Sequence, residues 1–262
     1  MAAKVTPSQI KSFWEEQSRG GAQGLFGRHS DNNITELESW YVINYGLKRW
    51  KPRSLVDVGC GLGDRTRLFS KYVRERTLGL DYSAGMIALA KKKESKHLVF
   101  QQADLLDEPS LPFAPDMVVS CRCLINLGSH RDVRKALRYF HDILPIGGKL
   151  VLCECSAQGH ARLNALRKEM GLKEIQTAWH NINLDEQRIA RYTNGLFEFS
   201  DLSRLGLYYV MTRVLYPALI KPKEPNPSSR INRLAAQVQK NAGIGYAEEF
   251  GRQYCMIGTK VP

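Results

Sequence analysis

Residues 56–64, Val-Asp-Val-Gly-Cys-Gly-Leu-Gly-Asp, constrain this chain more than any other stretch. The apolar run from residue 54 to 58 reads as a strand buried on both faces, the glycines as a tight turn, and the residues after them as the start of a helix. Glycine admits positive φ and lets a ligand approach the backbone closely. A helix that begins there presents free N–H groups to the same spot. Such a strand–turn–helix requires parallel neighbours, so the chain is expected to build an α/β sheet covered on both faces.

The rest of the sequence continues the alternation. Strands are expected at 54–58, 77–81, 98–103, 116–121 and 149–155, with helices at 65–73, 84–93 and 131–144. Two helices, 7–18 and 34–49, precede the first strand, and Asn33 or Thr35 is placed to cap the second. Beyond Cys155 the pattern changes to a helix at 161–170 and a mixed polar stretch at 172–204. A strand rich in Leu, Tyr and Val is expected at 205–215. A proline-containing loop at 221–230, a short helix at 231–240 and a last strand at 253–261 complete the chain. The two late strands are expected to form a hairpin-like pair.

Composition narrows the function classes. The chain has 262 residues, 43% of them apolar, which suits one α/β domain with decorations. No apolar run approaches the roughly 18 residues that span a bilayer, and no basic-then-apolar leader opens the sequence. A cytoplasmic protein with no integral membrane segment is the expectation. Of six cysteines, Cys121 and Cys123, and Cys153 and Cys155, form two C-x-C pairs on expected strands or strand ends. This is not zinc spacing, and they are read as reduced thiols packed as small hydrophobes. The net charge of +12 is compatible with nucleic acid or anionic partners. The basic residues are dispersed, however, and no aromatic-basic RNA motif is present, which makes nucleic acid the lesser reading.

Three acidic positions punctuate the strands. Asp57 lies two residues before the first glycine, where a carboxylate repels a pyrophosphate but can hold a cationic amino-acid end. Asp81 ends the second strand and is placed to accept both ribose hydroxyls of an adenosine. It would otherwise be a helix N-cap, a role Ser83 can fill. Asp104 ends the third strand and can accept an adenine amine.

In this order and spacing, residues 54–155 resemble the class I S-adenosylmethionine-dependent methyltransferases. The resemblance implies a Rossmann-like, seven-stranded, mostly parallel sheet whose last strand is antiparallel. It also implies an N-terminal helical lid and insertions after strands 5 and 6. Residues 1–262 are then one methyltransferase domain, with the lid in 1–50, the cofactor-binding core in 51–155, and an acceptor-side insertion with the C-terminal strands in 156–262. S-adenosylmethionine is the implied cofactor. Asp57, Gly59, Gly61 and Gly63 would flank its methionine part and Asp81 its ribose. Met86, Asp104 and Leu105 would surround the base, Tyr82 would also belong to the cofactor site, and Cys121 would lie beside the methyl group. Phe13-Trp14-Glu15 with Arg19 resembles the lid helix of small-molecule members, and Trp14 and Arg19 are assigned to the cofactor.

The acceptor is less legible. The stretch Ser120-Cys121-Arg122-Cys123-Leu124 lacks the Asn/Asp-Pro-Pro-aromatic motif of amino-adenine enzymes and the Pro-Cys nucleophile of RNA 5-methylcytosine enzymes. It also lacks the Asp-Asn pair of the magnesium-dependent catechol type, so no metal is expected. Cys121 to Leu127, Glu154, Leu163 to Arg167 and Trp179-His180-Asn181 are similar to bacterial methyltransferases of polysaccharide and secondary-metabolite pathways. His29-Ser30-Asp31 fits the same group. Methyl transfer to a hydroxyl needs alignment and a base. His180 is the first choice of base and His160 the second. Arg122 and Arg167 are candidates to hold an anionic acceptor, and Asn126, Trp179 and Asn181 to line its pocket. The expected function is a metal-independent methyl transfer to oxygen, less readily nitrogen, of a small molecule or glycan. The rivals are an RNA or protein methyltransferase, a non-catalytic adenosyl-ligand-binding subunit, and a nicotinamide-dependent oxidoreductase, which Asp57 and the G-x-G-x-G spacing disfavour.

Overall fold

The computed structural model describes residues 6–19 and 31–262. Its centre is a seven-stranded sheet in the order β3-β2-β1-β4-β5-β7-β6. The strands are β1 (Ser54–Val58), β2 (Arg76–Asp81), β3 (Leu98–Gln102), β4 (Met117–Cys121), β5 (Lys149–Cys155), β6 (Phe197–Ser203) and β7 (Gln253–Lys260). The first five run parallel, and β7 is antiparallel to both β5 and β6. The strand order reverses between β1 and β4, which opens a crevice beyond their carboxyl ends.

The helices form where apolar faces need cover. On one side of the sheet Val133, Leu137 and Phe140 of α5 (His130–Ile143) pack on Val56, Val118 and Leu150. On the other, Tyr41 and Val42 pack with Phe69 of α3 (Asp64–Ser70) on Leu55, Val119 and Val151. Burying each such side chain contributes about 1.5–3 kcal/mol. On this second side Cys121, Cys153 and Cys255 stand in register across β4, β5 and β7, all buried and all free.

Two helices precede the sheet, α1 (Pro7–Arg19) and α2 (Asn32–Tyr41). The second widens into a π segment, Val42–Leu47, before β1. Its cap is Asp31, ahead of the expected Asn33 or Thr35; the Asp31 carboxylate accepts the Asn33 N–H. Of the His29-Ser30-Asp31 stretch, His29 and Ser30 lie outside the described residues. Helix α4 (Ala84–Ala90) is capped by Ser83, whose hydroxyl accepts the Met86 N–H. Between β5 and β6 lie α6 (Ala157–Glu169) and α7 (Glu186–Thr193).

The stretch expected as a strand at 205–215 is helical. It runs through α8 (Gly206–Tyr209), a π segment at Val210–Leu215 and a last turn at Tyr216–Leu219. Leu205, Tyr208, Tyr209 and Val214 bury against Leu37 of α2, Leu163 of α6 and Ala235 and Ala236 of α9 (Arg230–Ala242). A short apolar run does not by itself distinguish a strand from a helix buried on several sides. The sixth strand is instead the polar-alternating Phe197–Ser203, at the sheet edge. Among the described residues no helix is long and apolar enough to cross a membrane.

Candidate active site

A cavity of about 320 Å³ lies beyond the carboxyl ends of β1, β2 and β4. Its floor is the glycine-rich turn. Gly59 and Gly61 have φ of +72° and +54°. At Gly59 a Cβ would stand 2.7 Å from the Cys123 Cβ, whereas at Gly61 it would meet nothing within 4 Å. The first glycine therefore lets the turn pack against the loop after β4, and the second leaves backbone open to a ligand. The Gly61 N–H donates to Asp81 Oδ2 at 2.9 Å, and the Ser83 N–H to Asp81 Oδ1 at 3.0 Å. Burial raises the Asp81 carboxyl above its ordinary value in spite of these donors. A carboxylate has acceptor capacity beyond two bonds, so Asp81 remains able to take hydroxyls from the cavity.

Of the residues assigned from sequence to the cofactor, Trp14, Gly59, Gly61, Asp81, Tyr82, Met86, Asp104, Leu105 and Cys121 line this cavity. Three do not. Asp57 is buried under the turn and accepts the Thr66 hydroxyl at 2.6 Å, so it supports the loop rather than facing a ligand. Gly63 faces away, where a Cβ would strike the Phe100 ring at 2.6 Å. Arg19 is exposed at the end of α1 and does not line the cavity.

Helix α1 closes the top. Trp14 Nε1 donates to Asn126 Oδ1 at 3.0 Å. Glu15 accepts the Ser83 hydroxyl at 2.6 Å and the Gly85 N–H at 3.1 Å. Lys11 pairs with Asp104, which also accepts the Leu106 N–H at 3.0 Å. Phe13 stacks on the His180 ring with centroids 4.4 Å apart.

The side toward the insertion carries Arg122, Asn126, His180 and Asn181, all lining the cavity. His180 Nδ1 and Asn181 Oδ1 are buried with no hydrogen-bond partner among the described residues. Burial lowers the His180 pKa, which favours the neutral ring. Trp179 is 53% exposed and touches the edges of Phe13 and His180 from outside. His160 is not brought to the cavity; it sits on α6, 3.3 Å from Asn164 Nδ2. Arg167, also on α6, is buried with its guanidinium on the carbonyls of Lys173 and Arg213, so it braces the C-terminal helices.

The sequence reading missed a buried cluster at the cavity's edge. Glu38 is fully buried, and its Oε2 lies 2.8 Å from Arg65 Nη1 and 3.3 Å from Arg122 Nε. Gln253 also donates to it. Residues 34, 37, 38, 41 and 42 form one helical stripe, and Glu38 is the acid within that apolar face. That interruption was a readable signal. Glu154 is likewise buried, and accepts Ser120 Oγ at 2.8 Å and the N–H groups of Cys123, Leu124 and Ile125 at 3.1–3.3 Å. It fixes the turn that carries Arg122 and Asn126.

Among the described residues no three His, Cys, Asp or Glu side chains cluster as a metal would require. The donor set fits an adenosyl ligand instead: a buried acid at the end of β2, a second acid on the loop after β3, and open backbone at Gly61.

Residues 55–148 match a family model described as a methyltransferase domain. Among curated proteins, a probable S-adenosylmethionine-dependent methyltransferase of Saccharomyces cerevisiae, CRG1, is 30% identical over 101 residues, covering 36% of this chain and 34% of that protein. Trans-aconitate 2-methyltransferase of Acidovorax sp. is 36% identical over 81 residues, 30% of each chain. The chain thus spans about a third of the length of these relatives. Among solved structures, the N-methyltransferase NodS of Bradyrhizobium japonicum with S-adenosylhomocysteine bound superposes with a TM-score of 0.54 at 16% identity, over 74% of this chain and 88% of that one. At that identity the likeness speaks to the fold alone. Residues 55–148 thus carry a match to a methyltransferase domain, on a fold shared with solved methyltransferase structures, and S-adenosylmethionine is the cofactor to which that match points.

Proposed function

We propose that this chain transfers a methyl group to an oxygen atom, in preference to nitrogen, of a small-molecule or glycan acceptor. The observation that carries this reading is the enclosure of the site. Cofactor-side and acceptor-side residues line one cavity of about 320 Å³, and α1 lies across it through bonds from Lys11, Trp14 and Glu15. A space of that size beneath a helix suits a small acceptor better than a folded RNA or protein surface. The Acidovorax relative is named for a small organic acid, which is consistent.

When bound, S-adenosylmethionine supplies an activated methyl group. The chain's part is to hold and align. Asp81 accepts hydroxyls at the end of β2, Asp104 and Leu105 flank the loop after β3, and Gly61 offers open backbone. His180, whose burial favours the neutral ring and whose Nδ1 has no partner among the described residues, is the group we assign to take the acceptor's proton. Asn126 and Asn181 orient the acceptor beside it. The stack of Phe13 on His180 ties the base to the closing helix, so the base and the lid come into place together.

The test is calorimetric binding of S-adenosylmethionine and S-adenosylhomocysteine, with NAD as control, followed by methyl-transfer assays on panels of small hydroxy compounds, glycans and RNA. Micromolar binding of both adenosyl ligands is expected, weakened roughly 10- to 100-fold by Asp81→Ala. Turnover is expected on the small-acceptor panel. Turnover on RNA alone, or cofactor binding with no turnover on any class, would defeat the reading.

A further inference from the structure

Two arginines converge on one buried carboxylate at the cavity's edge, and that arrangement is more than a structural ion pair needs. Glu38 engages Arg65 at 2.8 Å and Arg122 at 3.3 Å. Arg65 Nη2 also donates to the Cys121 carbonyl at 3.0 Å, and Arg122 Nη2 to Thr35 Oγ1 at 2.7 Å. The other nearby acids are engaged elsewhere: Asp57 accepts the Thr66 hydroxyl, and Asp64 lies 3.3 Å from Lys93. A guanidinium carries five N–H donors. Among the described residues Arg122 Nη1 makes no hydrogen bond, although the residue lines the cavity. Arg122 also holds a φ of +55°, a conformation that L side chains adopt at a cost and that persists where its surroundings enforce it. Burying a charged cluster purely for stability is a poor use of the site, since apolar residues of like volume do as well or better.

The cluster also stands where two spaces meet. Thr35, Asp64 and Arg65 line the cavity and, equally, a groove between α2 and α3 whose walls include Trp40, Ile43 and Tyr72. A ligand lying in that groove reaches the cavity past Thr35 and Arg65. We infer that Arg65 and Arg122, braced by Glu38 and with Thr35 beside them, form a carboxylate-binding site that takes the anionic end of the acceptor from the groove. A planar guanidinium with a free edge suits a carboxylate better than a neutral hydroxyl. Glu38 acts here as a positioning residue, because it fixes both guanidiniums without lining the cavity itself.

This inference rests on the proposed methyl transfer, and its test separates the two. Small mono-, di- and tricarboxylates, each with its neutral amide as control, are titrated into free and S-adenosylhomocysteine-saturated protein. The proteins are wild type, Arg122→Gln and Arg122→Lys, each checked for an unchanged unfolding transition. S-adenosylhomocysteine and 5′-methylthioadenosine, which lacks the amino-acid end, are titrated in parallel. At least one carboxylate is expected to bind wild type in preference to its amide. Arg122→Gln should weaken it at least about tenfold and Arg122→Lys partially restore it, with both adenosyl ligands shifted by less than about twofold. Loss of S-adenosylhomocysteine affinity with 5′-methylthioadenosine unchanged would assign the arginines to the cofactor's own carboxylate and overturn the inference. Equal carboxylate binding by wild type and Arg122→Gln, or no preference over the amides, would also overturn it. Failure of wild type to bind either adenosyl ligand would count against the proposed function, while the carboxylate titrations on free protein would still decide the cluster.

Discussion

Asp57 shows how one carboxylate can be present in a binding motif without touching the ligand. It lies under the glycine-rich turn, and burial raises its pKa to about 6 from an ordinary 3.8, with the Arg65 charge and the Thr66 hydroxyl only partly opposing this. A folded-state pKa above the unfolded one means that its contribution to stability is complete below about 3.8 and is lost as pH rises through about 6. Asp57→Asn retains the acceptor for Thr66 and removes the charge. The variant is therefore expected to gain stability over wild type as pH rises from about 4 to 7, a difference read from urea unfolding at both ends of that window. A difference that is constant with pH would contradict this placement. Gly59, Gly61, Asp81 and Asp104 were legible from sequence because each belongs to a strand end, and strand ends in this sheet share one crevice. Glu38, Arg65 and Arg122 were not assigned together, since three residues far apart in sequence meet only once α2, α3 and the loop after β4 are packed.

At the scale of elements, α1 and α4 are fitted at one glycine. A Cβ on Gly85 would stand 2.0 Å from Ser18 Oγ and 2.8 Å from Ser18 Cβ. Alanine within a helix is otherwise more stable than glycine by about 0.5–1 kcal/mol. Gly85→Ala is thus expected to push α1 off its seat, weakening S-adenosylhomocysteine binding, while the melting temperature of the unliganded protein does not fall. Unchanged affinity would show that α1 does not contribute to holding the ligand. Four of the five parallel strands were readable as short apolar runs followed by a turn and a helix, and β3 by the acid that ends it, with only a short turn before β4. The sixth was not. An edge strand needs polar residues on its open face, and its alternation at Phe197–Ser203 was hidden within a polar stretch. The more apolar run after it is a helix buried against three others.

For the whole molecule, one residue joins the first helices to the last. Asp31 caps α2, accepts Tyr208 Oη at 2.5 Å and Asn232 Nδ2 at 3.4 Å, and pairs with the buried Arg213 at 2.5 Å. Burial alone would raise its carboxyl, but the Tyr208 and Asn33 bonds and the Arg213 charge carry it below the ordinary value. Asp31→Ala leaves Arg213 with Glu224 as its remaining acidic partner among the described residues, at 3.2 Å. A loss of about 3–5 kcal/mol is expected, a melting temperature lower by roughly 10 °C, with partial recovery in Asp31→Asn through the cap. An unchanged melting temperature would mean that the C-terminal helices are held by their apolar contacts alone. The central sheet carries another molecule-wide property in its row of Cys121, Cys153 and Cys255. The neighbouring Cys153 sulfur raises the Cys121 thiol, and burial raises those of Cys153 and Cys255, so none is a ready thiolate in the folded chain. Oxidants meet an inert interior until the sheet opens. Once it does, all six cysteines become ordinary thiols able to pair in many wrong ways, and the route back to the native sheet then runs through whatever reductant surrounds the chain.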